Sequence, residues 1–268
     1  MDARPIGVFD SGIGGITAVK RLMEVLPHED IIYFGDTLRT PYGSLPVETI
    51  VEYACQDAAF LAKHNVKAMI IACNTICFSA YEIIKRTYAM PVYEVIGAAA
   101  NAAVKTVQNG KIGVIATAAT IQSGAYEAAI KSLAPDVSVF SKACPRFAPL
   151  VEAGRCSPDD GETLAIAEEY LSGLRDAGVD TLILGCTHYP LLSGAISKVM
   201  GANVALINSG AEVVSRVAED LRNNDMPTPK DVKGTLKCYV TGGADNFSAH
   251  ASAFLGFDIR AAVEQVTL

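Results

Sequence analysis

The sequence predicts an α/β protein made of two similar, pseudo-symmetric halves, each a mainly parallel sheet covered by helices. Apolar, β-branched runs that end in Gly, Asn, Thr or Ser are each followed by helical periodicity, the pattern of strands buried on both faces by crossover helices. The chain also matches itself. KHNVKAMIIACNT (63–75) aligns without a gap on DAGVDTLILGCTH (176–188) at an offset of 113, sharing Val66 with Val179, Ile70 with Ile183 and Cys73 with Cys186. IGVFDS (6–11) aligns on IGVIAT (112–117) at an offset of 106, so the halves differ by a small insertion. Two halves that each present a thiol point to chemistry with one thiol on each side of a substrate, as racemisation without a cofactor requires.

The elements follow in order. IGVFDSG (6–12) reads as the first strand, and ITAVKRLMEVL (16–26) as a helix beyond the turn DSGIGG (10–15). IIYFGDT (31–37), AMIIACNT (68–75), IGVIATA (112–118) and TLILGCT (181–187) read as further strands, with a helix starting near Thr75. VYEVIGAAANAAVKT (92–106) reads as a strand ending at Gly97 and an alanine-rich helix crossing into the second half. Beyond residue 208 come a helix (209–223), a polar loop (224–234) and TLKCYVT (235–241), expected to return to the first sheet as an antiparallel edge strand. The first domain is therefore expected to be discontinuous, 1–96 plus 210–268, around a second domain, 97–209.

Half of the 268 residues are apolar and 19% are charged, which is the balance of a globular protein with a sizeable core. A net charge of −7 argues against nucleic acid and anionic membranes as partners but leaves a small anion open, since backbone N–H groups and hydroxyls bind anions too. The N-terminus enters a strand at once and no apolar run approaches the roughly 18 residues that span a bilayer, so a cytoplasmic location is expected. Seven cysteines without CxxC spacing argue against a disulfide framework or a zinc ribbon, and most are expected to be buried free thiols.

Ligands of open α/β sheets sit at the carboxyl ends of strands. Polar residues there are Asp10, Ser11, Asp36, Thr37, Cys73, Asn74, Thr75, Thr117, Thr120, Cys186, Thr187 and His188. Cys73, just before a helix, is expected to feel the positive end of its dipole, and the same is expected of Cys186. Such a setting favours a thiolate that serves as a base, while a neutral thiol serves as an acid. His188 reads equally as a metal ligand, an acid–base group or a loop histidine, although no metal-site pattern appears. DSGIGG matches neither the dinucleotide fingerprint nor the P-loop, which leaves close approach to a small carboxylate or a plain tight turn.

VFDSGIGG (8–15), YFGDT (33–37), TPYG (40–43), ACNT (72–75), PLVEAG (149–154) and GCTHYPLL (185–192) resemble the signature segments of bacterial glutamate racemases. The resemblance implies a cofactor-independent enzyme that interconverts L- and D-glutamate for peptidoglycan, with two α/β domains closing over an active site in the cleft between them. It implies Cys73 and Cys186 as the two thiols, Asp10 and His188 as their acid–base neighbours, and Glu152 beside His188. Ser11, Tyr42, Gly43, Asn74, Thr75, Thr117, Thr120 and Thr187, with Asp10 and His188, would bind the substrate. A homodimer is implied, and neither a metal nor a cofactor. ICFSA (76–80) departs from the small residues usual there. The rival readings are a racemase for aspartate or another acidic amino acid, and a non-catalytic amino-acid-binding protein.

Overall fold

The computed structural model describes residues 1–268 and divides into two compact units, Met1–Val95 with Val213–Leu268, and Ile96–Glu212. The first unit opens with β1 (Ile6–Asp10), α1 (Ile16–Val25), β2 (Ile31–Gly35), α2 (Val47–Lys63), β3 (Ala68–Ile71), α3 (Asn74–Thr87) and β4 (Val92–Glu94). After α4 (Val95–Thr106), the second unit holds β5 (Lys111–Ala116), α5 (Ala118–Gln122), α6 (Ala125–Leu133), β6 (Ser138–Ala143), α7 (Phe147–Glu152), α8 (Gly161–Asp176), β7 (Thr181–Gly185), α9 (Ser193–Met200) and β8 (Ala205–Asn208). The chain then forms α10 (Ser209–Asn223), β9 (Leu236–Val240), α11 (Ala244–Leu255) and β10 (Val263–Gln265).

Both sheets are parallel throughout, ordered β10-β9-β2-β1-β3-β4 and β6-β5-β7-β8. The run β2-β1-β3-β4 has the same order as β6-β5-β7-β8, so the two internal sequence matches become one repeated topology. One packing contact links the two matches. A side chain on Gly7 of β1 would stand 3.1 Å from Val66, and one on Gly113 of β5 would stand 3.0 Å from Val179. The valine before each thiol-bearing strand thus lies on the glycine of its neighbour, and neither partner has room to grow.

TLKCYVT departs from expectation. β9 pairs parallel with β2 rather than antiparallel, and β10 covers its other side, so it is not an edge. The reason is the crossover: α10 and the 224–234 loop carry the chain back to the amino end of the sheet before β9 begins, which is the geometry of a parallel connection. The helix after β4 also starts at Val95 rather than beyond Gly97. The segment 92–96 supplies only three strand residues, Val92–Glu94, before it turns helical.

A buried ion pair fastens this returning segment. Lys67 Nζ pairs with Glu29 at 2.7 Å and donates to the carbonyls of Asp2 and Met226, each at 2.8 Å. Glu29 in turn accepts from the Thr228 amide at 2.8 Å. Two ammonium hydrogens go to main-chain carbonyls and the charge lies against the Glu29 carboxylate, the compensation that lets a fully buried lysine be tolerated.

Candidate active site

The sheet of the first unit brings Asp10, Ser11 and Cys73 together at the carboxyl ends of the adjacent strands β1 and β3. Ser11 Oγ lies 3.3 Å from Cys73 Sγ. Cys73 is the N-cap residue of α3, with extended backbone, and its carbonyl accepts from the Cys77 amide at 3.0 Å. Its thiol therefore stands at the positive end of a 14-residue helix, as the sequence led us to expect. Asn74 and Thr75, the first residues of α3, are buried beside it, and of the bulky departing residues Ile76 is buried on the same helix while Phe78 is half-buried.

The glycine turn serves to seat Asp10. A side chain on Gly15 would come within 2.7 Å of the Asp10 Cβ and 3.0 Å of the Tyr33 ring. Tyr33, buried in β2, donates its hydroxyl to the Gly12 carbonyl at 2.8 Å, and the Gly12 amide donates to the Asp10 carboxylate at 3.2 Å. Burial first, and the nearby charge of Asp10 second, push the Tyr33 phenol far up, so it is a fixed donor to the turn.

Tyr42 and Gly43 lie on a single 3-10 turn, Tyr42–Ser44. The Tyr42 ring is buried, and its hydroxyl meets the carboxylates of Asp36 and Asp57 inside the unit. The side chain is therefore engaged internally, while Gly43 exposes its main chain. A substrate contact from this turn falls to the backbone, a distinction invisible in the motif.

In the second unit Cys186 follows β7, the topological counterpart of β3. It does not cap a long helix: Pro190 enters a 3-10 turn, Tyr189–Leu192, and α9 begins only at Ser193. The expectation of a helix dipole shared by both thiols holds at Cys73 alone. At Cys186 a side-chain relay takes its place, with His188 Nδ1 3.9 Å from the thiol and Nε2 3.1 Å from Glu152 Oε1. An ionised carboxylate only accepts, so Nε2 carries the hydrogen in the neutral ring and Nδ1 faces the thiol as acceptor. Glu152 closes α7, where Gly154, at φ 73°, caps the helix as the Arg155 amide donates to the Leu150 carbonyl at 2.9 Å.

Thr117 caps α5, accepting from the Thr120 amide at 3.3 Å and donating to the Thr120 hydroxyl at 3.0 Å. Thr187 is buried directly after Cys186. Tyr189, to which the motif gave no role, anchors the 186–189 turn by donating to the Cys144 carbonyl at 2.8 Å and packing edge-on against Phe147. Burial holds the Cys144 thiol up at about 12, so this third cysteine is not a competing base. Each unit thus presents one thiol beside groups that exchange protons or donate hydrogen bonds.

The Asp/Glu/Hydantoin racemase family model matches residues 34–217. A glutamate racemase of Streptococcus equi subsp. equi is 46% identical, with 100% of both chains covered. The solved glutamate racemase of Francisella tularensis subsp. tularensis SCHU S4, in complex with D-glutamate, is similar at a TM-score of 0.91 and 40% identity, covering 100% of this chain and 98% of that one. A glutamate racemase isoform from Bacillus anthracis reaches a TM-score of 0.95 at 35% identity, covering 100% and 99%.

Proposed function

This chain belongs to the Asp/Glu/Hydantoin racemase family and racemises glutamate, and from that premise we propose that the reaction runs through two bases, the thiols of Cys73 and Cys186. The repeat carries the reading: each unit has one cysteine just beyond the carboxyl end of the third strand of the same four-strand order. In one direction the Cys73 thiolate removes the Cα proton while the Cys186 thiol delivers a proton to the opposite face; in the other direction the roles exchange.

The flanking groups set the proton inventory. Asp10 and Ser11 serve Cys73. The relay from Cys186 through His188 to Glu152 lets the imidazole take the thiol proton and return it. Negative charge developing on the α-carboxylate is met by donors from Ser11, Asn74, Thr75, Thr117, Thr120, Thr187 and the Gly43 main chain. We place the product in peptidoglycan synthesis, the enzyme in the cytoplasm and the active form as a homodimer. No helix is long and apolar enough to cross a membrane.

Loss of optical rotation from L-glutamate, with no added pyridoxal phosphate or metal, tests the reaction. Cys73→Ala and Cys186→Ala must each abolish it, and full activity in either variant refutes the assignment. Rotation lost faster from aspartate than from glutamate would favour the rival acidic substrate.

A further inference from the structure

We propose that Asp57, on α2, is held as a neutral carboxylic acid and is a positioning residue that fixes the Tyr42–Gly43 turn for substrate binding. The inference rests on the reading of that turn as a substrate contact.

Tyr42, Asp36 and Asp57 are buried to within 1% exposure, so water does not reach their contacts. The Tyr42 hydroxyl faces Asp36 Oδ2 and lies 3.1 Å from Asp57 Oδ2. A phenol has one hydrogen, and two ionised carboxylates only accept. One of these two contacts between oxygens therefore lacks a proton unless a carboxyl supplies it.

The surrounding donors decide which one. Asp36 accepts from Arg39 Nε at 2.5 Å and from the Thr241 hydroxyl at 2.8 Å. Asp57 receives only Arg39 Nη2, at 3.2 Å. The better-compensated Asp36 takes the phenol hydrogen as an anion, and Asp57 O–H donates to the phenol oxygen. One guanidinium then balances one carboxylate.

The groups facing Asp57 are Arg39 and Tyr42 from the 36–44 segment, Asp36 just beyond β2, Cys55 on α2 itself and, more distantly, Asp10 at the end of β1. Arg39 itself stacks on the Tyr53 ring 3.9 Å from its centroid and donates to Gln56 at 2.6 Å, so it is fixed rather than mobile. Burial, followed by the charge of Asp36, drives the Asp57 carboxyl well above the usual range, in agreement with the count. A neutral acid here ties the turn to α2 without adding a second buried anion beside a site that must bind an anionic substrate.

Asp57→Asn preserves the pattern, because an amide donates to the phenol and still accepts from Arg39; Asp57→Leu removes it. The infrared spectrum of the parent at neutral pH should show a protonated-carboxyl C=O band that is absent in D57N. KM for glutamate should stay within about twofold in D57N and rise about tenfold in D57L, as for one lost hydrogen bond, with kcat moved less. Should D57L fail to fold, Tyr42→Phe should raise KM in the same way. A parent spectrum without that band, or a D57N variant as impaired as D57L, overturns the proposal. A band lost in D57N with KM unchanged in D57L and Y42F overturns the positioning role. The infrared result does not depend on the two-thiol chemistry, so failure of that reading is recognised separately.

Discussion

Removing the ammonium of Lys67 should unfasten the segment that re-enters the first unit. In Lys67→Met, Glu29 stays buried at 3% side-chain exposure with a single backbone donor, and the carbonyls of Asp2 and Met226 lose theirs. Breaking a buried pair from one side costs about 3–5 kcal/mol, most of it the stranded charge. The two carbonyls add little, because Asp2 and Met226 are only half-buried and admit water. For a unit of about 150 residues, each kcal/mol moves Tm by roughly 2–4 °C, so the expected fall is of the order of 10 °C. The double variant Glu29→Leu with Lys67→Met removes both charges and should recover most of the loss. Calorimetry of the parent and both variants reads this out. A single variant within about 1 kcal/mol of the parent, or a double variant no better than the single, would mean that the pair does not hold the returning segment.

Four further outcomes are expected. His188→Asn should lower kcat/KM by about 10²–10⁴, whereas Glu152→Gln should cost under about tenfold because its side chain is 57% exposed; steady-state kinetics will show both. The enantiomers are equal in free energy, so kcat/KM must remain equal in the two directions for every variant, and any asymmetry belongs in kcat, KM and the deuterium isotope effects. Gly15→Ala should displace Asp10 and depress turnover more than about tenfold while leaving the fold intact by circular dichroism. Asp57→Asn should be more stable than the parent. Folding must protonate the raised Asp57 carboxyl, which costs nothing below about pH 4 and progressively more as pH climbs toward the folded-state value, so the Tm gap should widen with pH.

The legible part of the fold was the set of strands buried on both faces, such as Ile6–Asp10 and Thr181–Gly185, whose continuous apolar runs admit few other readings. Ser138–Ala143 escaped because an edge strand with four half-buried or exposed polar and small residues carries no apolar run. Val263–Gln265 escaped because it is three residues long. The parallel sense of β9 depends on where its crossover runs, which local periodicity does not encode. At the site, the thiols and their neighbours lie within single motifs and were legible. The union of Asp36, Arg39, Tyr42 and Asp57 was not, since it joins a strand end, a loop and a helix by side-chain contacts alone. That Cys186 leads into a 3-10 turn while Cys73 caps a helix has a signal in GCTHYPLL itself, Pro190, which the parallel drawn between the two thiols overlooks.

Two bases acting on opposite faces leave a signature in the label rather than in the rate. With L-glutamate in D2O, at low conversion, mass and NMR analysis of the separated enantiomers should find deuterium at Cα in the D-glutamate formed and protium retained in the L-glutamate recovered. Deuterium entering recovered L-glutamate as fast as it enters product would mean that a single base serves both faces, and would contradict the roles given to Cys73 and Cys186.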